Sequence, residues 1–184
     1  KRDPSPVVRL YLASAIQRLP SPIAWQLIDA LASHAEDRND RNLPLLLWDG
    51  LAQLMPWNLD HAFALAAKTP LPQIADYIYW YAATLEGDAL NRAVAILAAT
   101  PDDALRRRLA GLWLAMEPRA NLPQPAAWKI VAPKLYANAD MRVRRQAERL
   151  AAVFGDDSLF PKLRETLADP RADAESRKHA FAVL

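Results

Sequence analysis

Three histidines, His34, His61 and His179, are the only imidazoles in the chain, and there is no cysteine. A metal site on a helix usually takes ligands at i and i+3 or i+4, and none of the three histidines has a second histidine at that spacing. Surface or capping roles fit them. His61 follows Asp60 in what reads as an exposed first helical turn; no Gly-x-Ser-x-Gly elbow or P-loop accompanies it. The lack of cysteine removes disulfides, iron–sulfur clusters, thiolate zinc sites, Cys nucleophiles and covalent c-type haem attachment. Paired carboxylates occur at Asp102-Asp103 and Asp156-Asp157, both just where helices would begin. Negative charge is favoured there by the helix dipole and the free N–H groups, so capping is the expected role. No catalytic residue, metal or cofactor is expected from these patterns.

Arginine is the other candidate. Arg106, Arg107 and Arg108 run together, and Arg142, Arg144, Arg145 and Arg149 follow. One use is a ladder in which Arg9, Arg106, Arg144 and Arg177 pair with capping aspartates of adjacent repeats, each exposed pair contributing less than about 1 kcal/mol. The other is a basic stripe of Arg106, Arg107, Arg108, Arg142, Arg145 and Arg149 for phosphate, as in a nucleic-acid-binding protein of the helical DNA-glycosylase type.

These residues must be positioned by helices. Ala (36) and Leu (28) supply 64 of the 184 residues, whereas Val, Ile and Thr together supply 18, which favours helix over strand. The net charge of +2 permits a local basic patch without arguing for one. No apolar run approaches the roughly 18 residues of a membrane span. No signal peptide is visible; the opening Lys1-Arg2-Asp3-Pro4 and the closing Ala182-Val183-Leu184 look cut from a longer chain.

A template of apolar positions at i, i+4, i+7, i+8 and i+11 recurs six times, anchored at Val8, Leu43, Ile74, Leu105, Val143 and Ser176, with spacings of 35, 31, 31, 38 and 33 residues. Ser5, Asp40, Asp102, Asp140 and Asp173 stand three residues before their anchors, as N-caps would, while Thr69-Pro70 can start the third helix. Between these A helices lie B helices anchored at Ile23, Leu59, Leu90, Trp128 and Leu159. Breakers separate them at Pro20 and Pro22, Pro56, Gly87, Pro118 with Pro123 and Pro125, and Gly155, and Pro133 falls inside one B helix. Trp25, Trp48, Tyr77, Tyr79 and Trp80 fall outside the template, and packing between repeats is their expected role. Tetratricopeptide and ankyrin signatures are absent. The expected fold is all-α: a single domain over residues 1–184, built as a right-handed α-solenoid of about five and a half HEAT-like helical hairpins.

Two stretches go beyond a generic repeat: Asp3-Pro4-Ser5-Pro6-Val7-Val8-Arg9-Leu10-Tyr11-Leu12-Ala13-Ser14-Ala15, and Ala35-Glu36-Asp37 followed by Asn42-Leu43-Pro44-Leu45 and Leu47-Trp48-Asp49-Gly50-Leu51. Together they resemble the HEAT-repeat region of planctomycete-type membrane-bound dehydrogenase-like proteins. In that family a sugar-dehydrogenase-like propeller precedes the repeats and a c-type cytochrome with Cys-x-x-Cys-His follows them. The resemblance implies a spacer between a dehydrogenase and its electron acceptor, outside the cytoplasm, with no family catalytic or haem residue in this chain. It covers most of the chain and is more specific over residues 1–55 than beyond.

The expected function is therefore a non-catalytic scaffold contacting proteins or flanking domains through the wall of B helices. Its candidate contact residues are Gln26, Asp29, Asp60, Asn91, Arg92, Lys129 and Lys162.

Overall fold

Ala and Leu carry the helices, and Pro, Gly and Asp punctuate them. The computed structural model describes residues 4–117, 119 and 122–184; the Pro118 breaker and Asp3 of the first quoted stretch lie outside these. Eleven α-helices and no strand occur among the described residues. They are α1 (Pro6–Ala15), α2 (Ser21–Leu31), α3 (Leu43–Leu54), α4 (Leu59–Lys68), α5 (Pro72–Thr84), α6 (Gly87–Leu97), α7 (Asp102–Met116), α8 (Trp128–Tyr136), α9 (Met141–Val153), α10 (Phe160–Ala168) and α11 (Ala174–Val183). Odd-numbered helices fall where A helices are expected, even-numbered ones where B helices are. Pro133 lies inside α8, which ends at Tyr136.

Local chemistry explains the helix starts. Asp140 Oδ1 accepts the Arg142 N–H at 2.8 Å, and Asp173 Oδ1 accepts the Ser176 N–H at 2.9 Å. Asp40 accepts from Asn42 and Leu43, both at 2.8 Å, just ahead of α3. The backbone hydrogen bonds from Leu43 and Asn42 hold the Asp40 carboxyl below the ordinary carboxylate range, as the bonds from Ser176 do for Asp173. Two expectations shift. Ser5 stands at the cap of α1 without a side-chain cap bond, and Pro101 takes the cap of α7, which leaves Asp102 in its first turn.

The chain forms two compact units, Lys1–Tyr81 and Ala82–Leu184. In the first, α3 packs against both α1 and α2. Leu43, Leu47, Gly50 and Leu51 of α3 are buried, as the template requires. The first hairpin is rotated by one position from its template. Val8 and Ile23 are exposed, while Arg9, Ala13 and Ile16 on one side and Ala24, Trp25, Ile28 and Leu31 on the other are buried. Helix α2 has two apolar stripes, which periodicity cannot rank; the one carrying Trp25 removes more apolar area from water. Trp48 packs on Tyr77 and Tyr81 at ring separations of 5.4 and 5.5 Å, so these aromatics join α3 to α5.

In the second unit α7 packs on α9, α9 on α8 and α11, α6 on α8, and α10 on α11. Leu105, Leu109, Leu112 and Met116 of α7 and Val143, Ala147, Leu150 and Ala151 of α9 are buried as expected. Trp128 Nε1–H and Tyr136 O–H both donate to Asp156 Oδ2 at 2.9 Å. Burial alone would raise the Asp156 pKa, but hydrogen bonds from Ser158, Tyr136 and Trp128 outweigh it and hold the carboxyl below its ordinary value.

Many polar contacts between hairpins span 28 to 37 residues. In the first unit Arg9 meets Asp37 across 28 residues, His61 meets Asp29 across 32, Gln73 meets the Arg38 carbonyl across 35, and Thr69 meets the Ala32 carbonyl across 37. In the second, Trp128 meets Asp156 across 28, His179 meets Glu148 across 31, Arg119 meets Glu86 across 33, and Asn138 meets Asp102 across 36. Six of these eight separations fall within the 31–38 residues of the sequence repeat, and the two at 28 fall just short of it.

Gly50→Ala should destabilise sharply. A Cβ there would lie 2.3 Å from Ile16 Cγ2 and 3.0 Å from its Cβ, atoms that a buried β-branched residue cannot swing away. The expected loss is about 2 kcal/mol, read as a lower urea midpoint. Asp156→Asn should destabilise by about 1 kcal/mol near neutral pH. Because the folded pKa of Asp156 lies below its unfolded value, its contribution is full above about pH 4 and disappears as pH falls through the folded value. The gap between wild type and Asp156→Asn in urea unfolding should therefore narrow as pH falls below about 4.

Candidate functional site

Helices α2 and α4 of the first unit flank an open groove of about 760 Å³. Trp25 forms part of the support. It is only 9% exposed, and His61 stacks on its indole at 4.1 Å with the rings inclined by 23°. His61 Nε2 lies 3.0 and 2.9 Å from the two Asp29 oxygens. An ionised carboxylate only accepts, so this contact assigns the proton to Nε2. The His61 backbone N–H donates to Asn58 Oδ1, the cap of α4, at 3.1 Å. Ring and backbone are thus fixed by groups from two hairpins. His61, next to Asp60 in the sequence, reaches Asp29 one repeat away. The signal that finds it is an Asp and a His offset by one repeat.

Asp29, Asp60, Ser33, Lys68 and Thr69 line the same groove. A carboxylate-held imidazole can act as a base for a nearby hydroxyl. Here Ser33 Oγ–H donates to the Ala30 carbonyl at 2.7 Å and Thr69 Oγ1–H to the Ala32 carbonyl at 2.7 Å. Both hydroxyl protons are aimed at backbone rather than at His61.

The structure brings Asp29 and Asp60 together and distributes the other B-helix candidates. Gln26 is exposed on α2. Asn91 is half-buried, and its Oδ1 accepts the Ala127 N–H at 2.9 Å, a structural bond. Arg92 lies 3.8 Å from Asp88 on its own helix. Lys129 is exposed on α8, near Tyr136 and Asp156. Lys162 is exposed on α10 and lines a second cavity, together with Arg145.

The arginines do not form one free stripe. Arg106 pairs with Asp140, the cap of α9, at 3.5 Å, as the ladder requires. Arg107 donates to the Asp103 carbonyl at 2.9 Å and Arg108 to the Thr100 hydroxyl. Arg149 lies over the Trp113 ring, 5.7 Å from its centroid, while Arg142 is exposed. The ladder is otherwise revised. Arg144 donates to the Asn138 and Ala139 carbonyls at 2.6 and 2.9 Å, and Arg177 to the Leu167 carbonyl at 3.2 Å.

Arg9, expected in an exposed pair, is 3% exposed and Asp37 is 4% exposed. Arg9 Nε–H and Nη2–H donate to the two Asp37 oxygens, both at 2.6 Å. This bidentate geometry is the strong form of an ion pair, and Asp37 is not a helix cap.

Among the described residues, no group of three or more His, Asp or Glu side chains could hold a metal, and no helix is long and apolar enough to cross a membrane. No protein-family model matches the chain, and neither a curated protein nor a solved structure matches it.

Two carboxylates should separate on truncation. Asp37→Ala removes the two-pronged carboxylate partner of the buried Arg9 guanidinium, at about 3 kcal/mol of stability. Asp29→Ala breaks a partly exposed pair, at under about 1 kcal/mol. Urea midpoints of the two variants against wild type check the contrast.

Proposed function

We propose that the chain is a non-catalytic HEAT-like scaffold, a right-handed α-solenoid of about five and a half hairpins, that docks protein segments or flanking domains along its B helices. The recurrence of polar contacts near one repeat of separation, in both units, carries this reading. It is what side-by-side stacking of hairpins produces. The α2/α4 groove, with Asp29 and Asp60 on its walls and His61 braced between two hairpins, is the docking surface assigned here. The resemblance in the first 55 residues extends the reading to a spacer between a dehydrogenase-like domain and a cytochrome in an extracytoplasmic protein. The engagement of Arg106, Arg108 and Arg149 in contacts of their own makes nucleic acid the less suitable partner.

Photo-crosslinking tests the docking reading. A benzophenone side chain at Ser33 or Ala64, both exposed in the groove, should crosslink to flanking domains of the parent protein, or to a protein partner in a cell extract. The same probe at Gln53, exposed on α3, should not. Equal crosslinking from all three positions, or none from the groove, would overturn the docking reading.

A further inference from the structure

In the second unit, α9, α10 and α11 surround a cavity of about 150 Å³ that has no part in the docking groove. Arg144, Arg145 and Glu148 reach it from α9, Lys162 from α10, and Ser176 and His179 from α11. Its carboxylate is already engaged: Glu148 Oε2 lies 2.6 Å from His179 Nε2, with the two side chains 19% and 8% exposed. Arg144 is anchored on two backbone carbonyls, which orient its guanidinium and leave the charge uncancelled. Arg145 is half-buried, and the nearby Asp173 carboxylate, held at the cap of α11 by Ser176, feels its charge. Lys162 stands at the rim. Two guanidiniums and an ammonium thus converge from two helices on a space whose own carboxylate is occupied by an imidazole. His179 Nδ1 adds a buried polar atom with no hydrogen-bond partner, an unmet desolvation cost.

We propose that this cavity binds the phosphate group of a small molecule, orthophosphate being the smallest such ligand. A water molecule takes about 30 Å³ of liquid, so the space accommodates a group of several heavy atoms. Arg145 and Lys162 supply charge-assisted hydrogen bonds, with the guanidinium fork matched to two phosphate oxygens. Hydrogen phosphate both accepts and donates, which suits a site mixing guanidiniums with a Glu–His pair; a carboxylate only accepts.

The test is a titration of the 184-residue chain with inorganic phosphate at constant ionic strength, followed by NMR at the Arg145 Nε–H and His179 ring signals. The expected result is a saturable shift at both, absent when chloride replaces phosphate. Arg145→Gln and Lys162→Gln should each weaken binding roughly tenfold, with circular dichroism showing unchanged helix content. Lys162 is exposed, so its variant keeps the test valid should the Arg145 variant unfold. Glycerol phosphate in a parallel titration separates the sources: tighter binding than orthophosphate assigns a phosphomonoester, equal or weaker binding assigns free phosphate. No saturation with either ligand, the same shift in chloride, or full affinity in Lys162→Gln would overturn the proposal.

Discussion

Two short helices packed as a hairpin hide one stripe of each against the other and leave further apolar surface facing sideways. That sideways surface is substantial here. Leu47 and Leu51 of α3 and Leu109, Leu112 and Met116 of α7 are fully buried, where α3 packs on α1 and α2 and α7 packs on α9. Burial of each such side chain is worth about 1.5–3 kcal/mol, far above any one of the exposed ion pairs. Lateral contact of α1 with α3 and of α7 with α9 is therefore the condition on which the rest of each unit depends. The polar contacts between hairpins are fine adjustments of a register that apolar packing demands.

The helices were legible because Ala, Leu and their spacing carry most of the packing. Eleven helices stand in the expected alternation, and the A-helix template marks the buried face of α3, α7 and α9. It fails at the first hairpin, where Val7, Val8, Leu10, Tyr11 and Leu12 make α1 apolar on most sides. When nearly every position is apolar, period alone leaves the phase open, and a buried arginine then reads as a surface residue. Asp140 and Asp173 were legible as caps because capping is local chemistry.

The candidate site was less legible, because its contacts are not local. Asp29 and Asp60 were both picked out by their place on B helices, and the groove joins them. The stack of His61 on Trp25 was not, since it depends on which stripe of α2 turns inward. Arg106 found the capping aspartate one repeat ahead, but Arg144 and Arg177 turned to carbonyls at helix ends. A guanidinium near several acceptors chooses by geometry, which a linear pattern does not contain. Arg145 of the basic stripe and Lys162 of the B-helix wall meet at one cavity for the same reason.

The buried pair of Arg9 and Asp37 also bears on how similar hairpins are told apart during folding. Near-equivalent modules invite mispairing, since any apolar flank sticks to any other. A guanidinium sealed against α1 accepts only a neighbour that offers a carboxylate at the matching place. Any other segment facing the guanidinium would forfeit this two-pronged carboxylate contact in a dry environment. Arg9 thereby ties α1 to the segment of residues 35–39 between α2 and α3, and restricts which segment can close over it.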